Sequence, residues 1–168
     1  LLFERLGATV TAISCAPDGF NINADCGSQH PHALAKQVLL HNADAGLAFD
    51  GDADRLIVVD ETGAVLTGDQ FMAICASHMQ AQGTLAHSVL VSTVMSNMGL
   101  GIALRRMGIA HIAAGVGDRH VMQEMIKAGA VLGGEDSGHM IFLDHHTTGD
   151  GLLAAIKIIE IMKLSDTP

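Results

Sequence analysis

AGLAFDGDADRLIVVD, residues 45–60, sets two apolar runs around an acidic centre. Ala45 to Phe49 reads as an apolar strand that runs straight into Asp50, and Leu56 to Asp60 reads as a second strand closed by the turn Glu61-Thr62-Gly63. Between them Asp50, Asp52 and Asp54 alternate with the small residues Gly51 and Ala53. In extended backbone every second side chain points the same way, so the carboxylates converge on one spot. Their mutual repulsion there is severe without a cation. An all-oxygen set suits Mg2+, Mn2+ or Ca2+ and not zinc. Arg55 follows directly and is placed to reach an anion held beside the metal.

Outward from this loop, strand and helix signals alternate. Upstream, Leu1 to Leu6 is the end of a helix stopped at Gly7, Thr9 to Ser14 is β-rich and reads as a short buried strand, Pro17 to Pro31 is a loop, and His32 to His41 has helical periodicity. Downstream, helices are expected over Gly68 to Gln82, Gly99 to Met107, Arg119 to Ala128 and Asp150 to Lys163. Strands are expected over Ser88 to Ser92, Ile109 to Ala113, Ala130 to Gly133 and Met140 to Leu143. Such alternation means α/β layers. A boundary near Leu66 and Thr67 divides the chain into 1–66 and 67–168. The abrupt start in helical pattern at Leu1, without Met, suggests a piece of a longer protein whose first domain is incomplete at its N-terminus.

Composition narrows the function. The 168 residues are 49% hydrophobic and 16% charged, enough apolar material for a sizeable core and too much for disorder. A net charge of -9 repels nucleic acid and anionic membrane, and with no Trp or Tyr there are few platforms for stacking bases. The longest weakly charged run, Ser88 to Leu104, is broken by Asn97, Gly99 and Gly101, so no membrane span is expected. Cys15, Cys26 and Cys75 are scattered and form no CxxC; they read as reduced, buried thiols of a cytoplasmic protein. Neither a nucleic-acid nor a membrane partner is expected.

Two other chemistries compete for the acidic loop. Counted as an EF-hand from Asp50, it has Asp at positions 3 and 5 and Glu61 at position 12, but Arg55 stands where the sharp turn needs Gly, and strands flank it where helices are required. An aspartate-nucleophile phosphotransferase also runs an apolar strand into Asp-x-Asp, and there Asp50 itself becomes phosphorylated.

A second motif is GGEDSGHM, residues 133–140, in which Glu135, Ser137 and His139 alternate between two apolar strands. A carboxylate beside a hydroxyl suits vicinal sugar hydroxyls. DGDADR followed by GEDSGH resembles the α-D-phosphohexomutase superfamily. NINADCGSQHP (21–31), GDQ (68–70), STVMSNMGL (92–100), VGDRHV (116–121) and TTGDGLLAA (147–155) are close to its phosphoglucosamine mutases. The resemblance implies two similar phosphohexomutase-type domains with mixed sheets. The first, 1–66, would be the C-terminal part of domain II with the metal loop, and the second, 67–168, would be domain III with the sugar-binding loop. It implies interconversion of glucosamine 6-phosphate and glucosamine 1-phosphate, toward bacterial cell-wall precursors, through a phosphoserine and a bisphosphorylated intermediate. By the same resemblance Asp50, Asp52 and Asp54 hold Mg2+, Arg55 steadies the transferring phosphoryl group, and Glu135, Ser137 and His139 face an amino-sugar phosphate.

The departures are specific. The family's Ser-His-Asn and Arg-Ser-Gly-Thr loops have no match in the chain and are expected before and after it. Ala113, Ala114 and Gly115 stand where relatives often carry a basic residue, and Asp136 stands where Gln or Asn is common. Asp118 and Asp150 also suit helix caps. Phosphomannomutase or phosphoglucomutase is the alternative within the class; a cation-binding module without catalysis is the alternative outside it, and the chain alone is expected to be inactive.

Overall fold

The computed structural model of the chain describes residues 2–165, so the expected helical start at Leu1 lies outside the described residues. A short helix α1 (Leu2–Arg5) precedes an irregular segment, then α2 (His32–His41), β1 (Ala45–Phe49), β2 (Leu56–Asp60) and β3 (Val65–Leu66) follow. The three strands form an antiparallel sheet in the order β1-β2-β3, with Phe49 opposite Leu56. The acidic loop is therefore a hairpin tip. Leu56 to Val59 are buried without alternation, as expected for a central strand covered on both faces.

The second half contains α3 (Gly68–Ala81), β4 (Val89–Thr93), α4 (Met98–Arg106), β5 (Ala110–Ala114), α5 (Asp118–Ala128), β6 (Leu132–Gly134), β7 (Met140–Phe142) and α6 (Gly151–Ser165). Its sheet runs β5-β4-β6-β7. The strand β4 is parallel to β5 and β6, and β7 turns back antiparallel, so this sheet is mixed. Successive residues of β4 feed opposite faces. Leu90 packs with Phe71, Met72 and Leu104 of α3 and α4, whereas Val89 and Val91 pack with Val121 and Met125 of α5. A helical layer on each face of the sheet is the result.

The first of these cores does not stop at Leu66. Leu56 and Val58 of β2 belong to the same cluster as Phe71 and Met72 of α3, Leu132 of β6 and Ala154, Ala155 and Ile158 of α6. Thus α3 touches both sheets, through β2 and β6, and α6 packs on α3 and β2.

Most expected elements form within a residue or two of their expected ends. Thr9 to Ser14 does not: it has no ladder partner and is exposed except for the half-buried Ile13, so β-rich composition alone leaves it irregular. The same segment exposes Cys15, while Cys26 is half-buried and Cys75 is buried. Burial of all three thiols is corrected accordingly. Asp150 caps α6, accepting from Leu153 N–H at 3.0 Å. Asp118 does not cap α5, because Gly117 occupies the N-cap position. Among the described residues no helix is long and apolar enough to cross a membrane.

Candidate functional site

In the β1–β2 tip, Asp50, Asp52 and Asp54 each offer a carboxylate oxygen, and these oxygens lie within 4.8 Å of one another. The convergence does not come from extended backbone. Residues 51–53 form a turn, Ala53 N–H donates to Asp50 C=O at 3.2 Å, and Ala53 adopts φ 58°. The turn folds the carboxylates inward where a strand would have lined them up. Arg55 closes the loop: its N–H donates to Asp50 Oδ1 at 3.1 Å, and its Nε stands 3.7 Å from Asp50 Oδ2 and 3.8 Å from Asp54 Oδ1. That Nε is buried and has no hydrogen-bond partner. Burial, then the hydrogen bond and charge of Asp50, raise the Asp54 carboxyl above its ordinary value; Asp52 adds to this, and His139 opposes it. Crowded oxygen donors of one sign are the environment that a divalent cation relieves, so the set fits a hard metal ion. The EF-hand alternative fails on its flanks, which are the strands β1 and β2, with Glu61 beyond the far end of β2.

The second motif is the β6–β7 tip, with Gly134 opposite Met140 and Glu135 N–H donating to His139 C=O at 2.9 Å. Glu135 Oε1 accepts from Gly117 N–H at 3.0 Å, which ties the tip to the loop after β5. Ser137 is exposed at its end. His139 is not exposed beside it: the residue is 3% accessible. Its Nε2 accepts from Gly149 N–H at 3.1 Å, so Nδ1 carries the proton and donates to Asp54 Oδ2 at 3.1 Å. His139 thus orients a carboxylate of the other tip.

The two tips are joined by backbone as well. Arg55 and His139 form an antiparallel bridge, and Leu56 N–H donates to Gly138 C=O at 3.1 Å. Gly138 has φ 91°, and a Cβ there would lie 2.3 Å from Leu56 O, so this approach admits no side chain. From behind, Gly151 N–H at the start of α6 donates to Ala53 C=O at 2.8 Å, and a Cβ on Gly151 would lie 2.7 Å from Arg55 O. Sequence reasoning brought together Asp50, Asp52, Asp54 and Arg55 and placed Glu135, Ser137 and His139 on one loop. It missed Gly117, Gly149 and Gly151 as partners of those loops. The glycines around Asp150 at a helix start were the available signal.

Residues 2–63 match the family model for Phosphoglucomutase/phosphomannomutase, alpha/beta/alpha domain II, and residues 67–168 match the model for domain III. The phosphoglucosamine mutase of Desulforapulum autotrophicum is 57% identical over 162 residues, covering 96% of this chain and 35% of that protein. A phosphoglucomutase/phosphomannomutase family protein of Burkholderia thailandensis is 27% identical with a TM-score of 0.72, over 80% of this chain and 29% of that one. The N-acetylphosphoglucosamine mutase of Aspergillus fumigatus, solved in complex with GlcNAc-6P and magnesium, shares the fold at 16% identity and a TM-score of 0.61, over 83% of this chain and 37% of that one. The chain spans about a third of the length of the curated relatives it matches. With its two α/β units matched in order and its sequence so close to a mutase over nearly every residue, the chain belongs to the phosphoglucomutase/phosphomannomutase family.

Proposed function

We propose that this chain is the metal-binding and sugar-binding part of a phosphoglucosamine mutase, which interconverts glucosamine 6-phosphate and glucosamine 1-phosphate. The observation that carries the proposal is the direct junction of the two tips: His139 of one hairpin holds Asp54 of the other at 3.1 Å, so metal ligands and sugar ligands serve one centre. The 57% identity to a phosphoglucosamine mutase supports glucosamine over mannose or glucose.

In this reading residues 1–66 and 67–168 are the family's domain II part and domain III. Asp50, Asp52 and Asp54 hold Mg2+, which when bound neutralises charge on the phosphoryl group in transfer. Arg55 is anchored through its N–H and Nε side by Asp50 and Asp54 and presents its remaining donors to phosphoryl oxygens. Glu135 keeps Oε2 for a sugar hydroxyl, because Gly117 engages Oε1. Ser137 donates to or accepts from the neighbouring hydroxyl. His139 acts on Asp54 and not on the sugar, orienting a metal ligand from outside the coordination sphere. The 168 residues carry neither the Ser-His-Asn nor the Arg-Ser-Gly-Thr sequence, so the chain alone binds Mg2+ without turning over. Unpaired cysteines fit a cytoplasmic setting.

The test is a coupled assay of the full-length parent on glucosamine, mannose and glucose phosphates. The expected result is the highest kcat/KM on glucosamine phosphate and loss of turnover in Asp52→Ala. A tenfold preference for mannose or glucose phosphate would assign the alternative within the class.

A further inference from the structure

The sugar-binding tip is fastened at a point that neither motif predicts. Gly68 and Asp69 open α3, and N–H groups at a helix start have no acceptor within the helix. Thr67 and Gln70 complete a capping box, which serves the N–H groups of Gln70 and Thr67. The Gly68 and Asp69 N–H groups go elsewhere: Gly68 donates to Asp136 C=O at 3.1 Å, and Asp69 donates to Asp136 Oδ1 at 3.1 Å. A Cβ on Gly68 would lie 2.4 Å from Glu135 O and 2.6 Å from Asp136 O, so the tip is seated directly on the helix end. An anionic side chain there also meets the positive end of the helix dipole. The connection continues, since Asp69 is 5% accessible and its carboxylate accepts from Asn97 N–H in the loop after β4.

We propose that Asp136 is a positioning residue for substrate: by capping α3 in trans it holds Glu135 and Ser137 in their binding arrangement. Glu135 fastens the same tip to the loop after β5 through Gly117. Two adjacent acidic residues thus fix the tip against loops that start α3 and follow β5. The loops at the carboxyl ends of parallel strands are where α/β sheets bind ligands. The positioning role rests on the mutase reading above, whereas the cap itself does not.

The experiment compares Asp136→Ala and Asp136→Asn in the full-length parent, with steady-state kinetics and amide exchange of segments 67–70 and 135–138. Asp136→Ala is expected to raise KM for glucosamine 6-phosphate about tenfold with kcat within about twofold, and to speed exchange in both segments. Asp136→Asn keeps an acceptor oxygen and is expected to recover most of the KM. Unchanged exchange in Asp136→Ala would remove the cap, and faster exchange with unchanged KM would remove the positioning role. If another hexose phosphate is the better substrate, its KM is read instead, and the mutase specificity fails while Asp136 is still judged. If no hexose phosphate is turned over, exchange of 135–138 decides whether Asp136 fixes the tip.

Discussion

The β1–β2 tip and the β6–β7 tip touch, yet their polar groups are balanced in different ways. In the first, Asp50, Asp52 and Asp54 crowd together and Arg55 is the cation paired with them. In the second, each acidic or basic group has a protein partner: Gly117 for Glu135, Asp69 for Asp136, Gly149 and Asp54 for His139. One tip presents a donor set that fits a cation, and the other is completed by its own chain. A sugar must be gripped by groups already aimed, since each loosened contact costs orientation. A metal ion brings enough energy to order its own ligands.

The largest expected effect breaks the seam between the tips. Gly138→Ala puts a Cβ 2.3 Å from Leu56 O at φ 91°, and strain plus overpacking should cost about 3 kcal/mol. Thermal unfolding is expected to show a drop of roughly 10 °C; an unchanged midpoint would mean that the tips are not seated on each other. His139→Ala leaves the seam but frees Asp54. Mg2+ affinity should fall about 10–100-fold by titration calorimetry, and undiminished affinity would separate the tips functionally.

The third prediction compares the tips directly. Saturating Mg2+ should slow amide exchange of residues 50–55 about tenfold and leave 135–138 nearly unchanged. Equal protection of both would erase the distinction. Next, Ser137→Ala in the full-length parent should lower kcat/KM about fivefold with no change in unfolding temperature; wild-type kinetics would take the sugar role from this residue. The smallest effect lies outside both tips. Asp60 accepts from the Thr62 hydroxyl at 2.7 Å and from the Thr62 and Ala64 N–H groups, which holds its carboxyl below its ordinary value. A depressed carboxyl contributes stability above its unfolded-state value and loses it as pH falls through the folded one. Asp60→Ala should therefore cost less than about 1 kcal/mol at pH 7 and progressively less in acid, by denaturation at several pH values.

The fold was legible where local pattern decides structure. LIVVD at 56–60 and SVLVS at 88–92 are largely apolar runs of strand length, and both became covered central strands, the second shifted by one residue to 89–93. Val65–Leu66 was missed because two residues carry no periodicity. Thr9 to Ser14 was over-read because strand propensity by itself does not make a ladder. In the site, the carboxylate spacing announced the first tip although its backbone is a turn. The bonds that position the second tip were invisible: Asp69 and Asp136 are 67 residues apart, and His139 and Asp54 are 85 apart. Nothing local to either residue names its partner.

One consequence follows from the core that runs from β2 through α3 and α6 to β6. Leu56, Val58, Phe71, Ala155 and Ile158 share one apolar cluster across the Leu66–Thr67 junction. A polypeptide cut there would expose part of that cluster on each piece, so each half is expected to be less stable alone than joined. Heat or urea should melt residues 2–165 in one cooperative step, with calorimetric and van't Hoff enthalpies in agreement. A chimaera joined at that junction would pair unfamiliar side chains across the cluster, and its melting temperature is expected to fall unless Leu56 and Val58 are exchanged together with the α3 and α6 residues they meet.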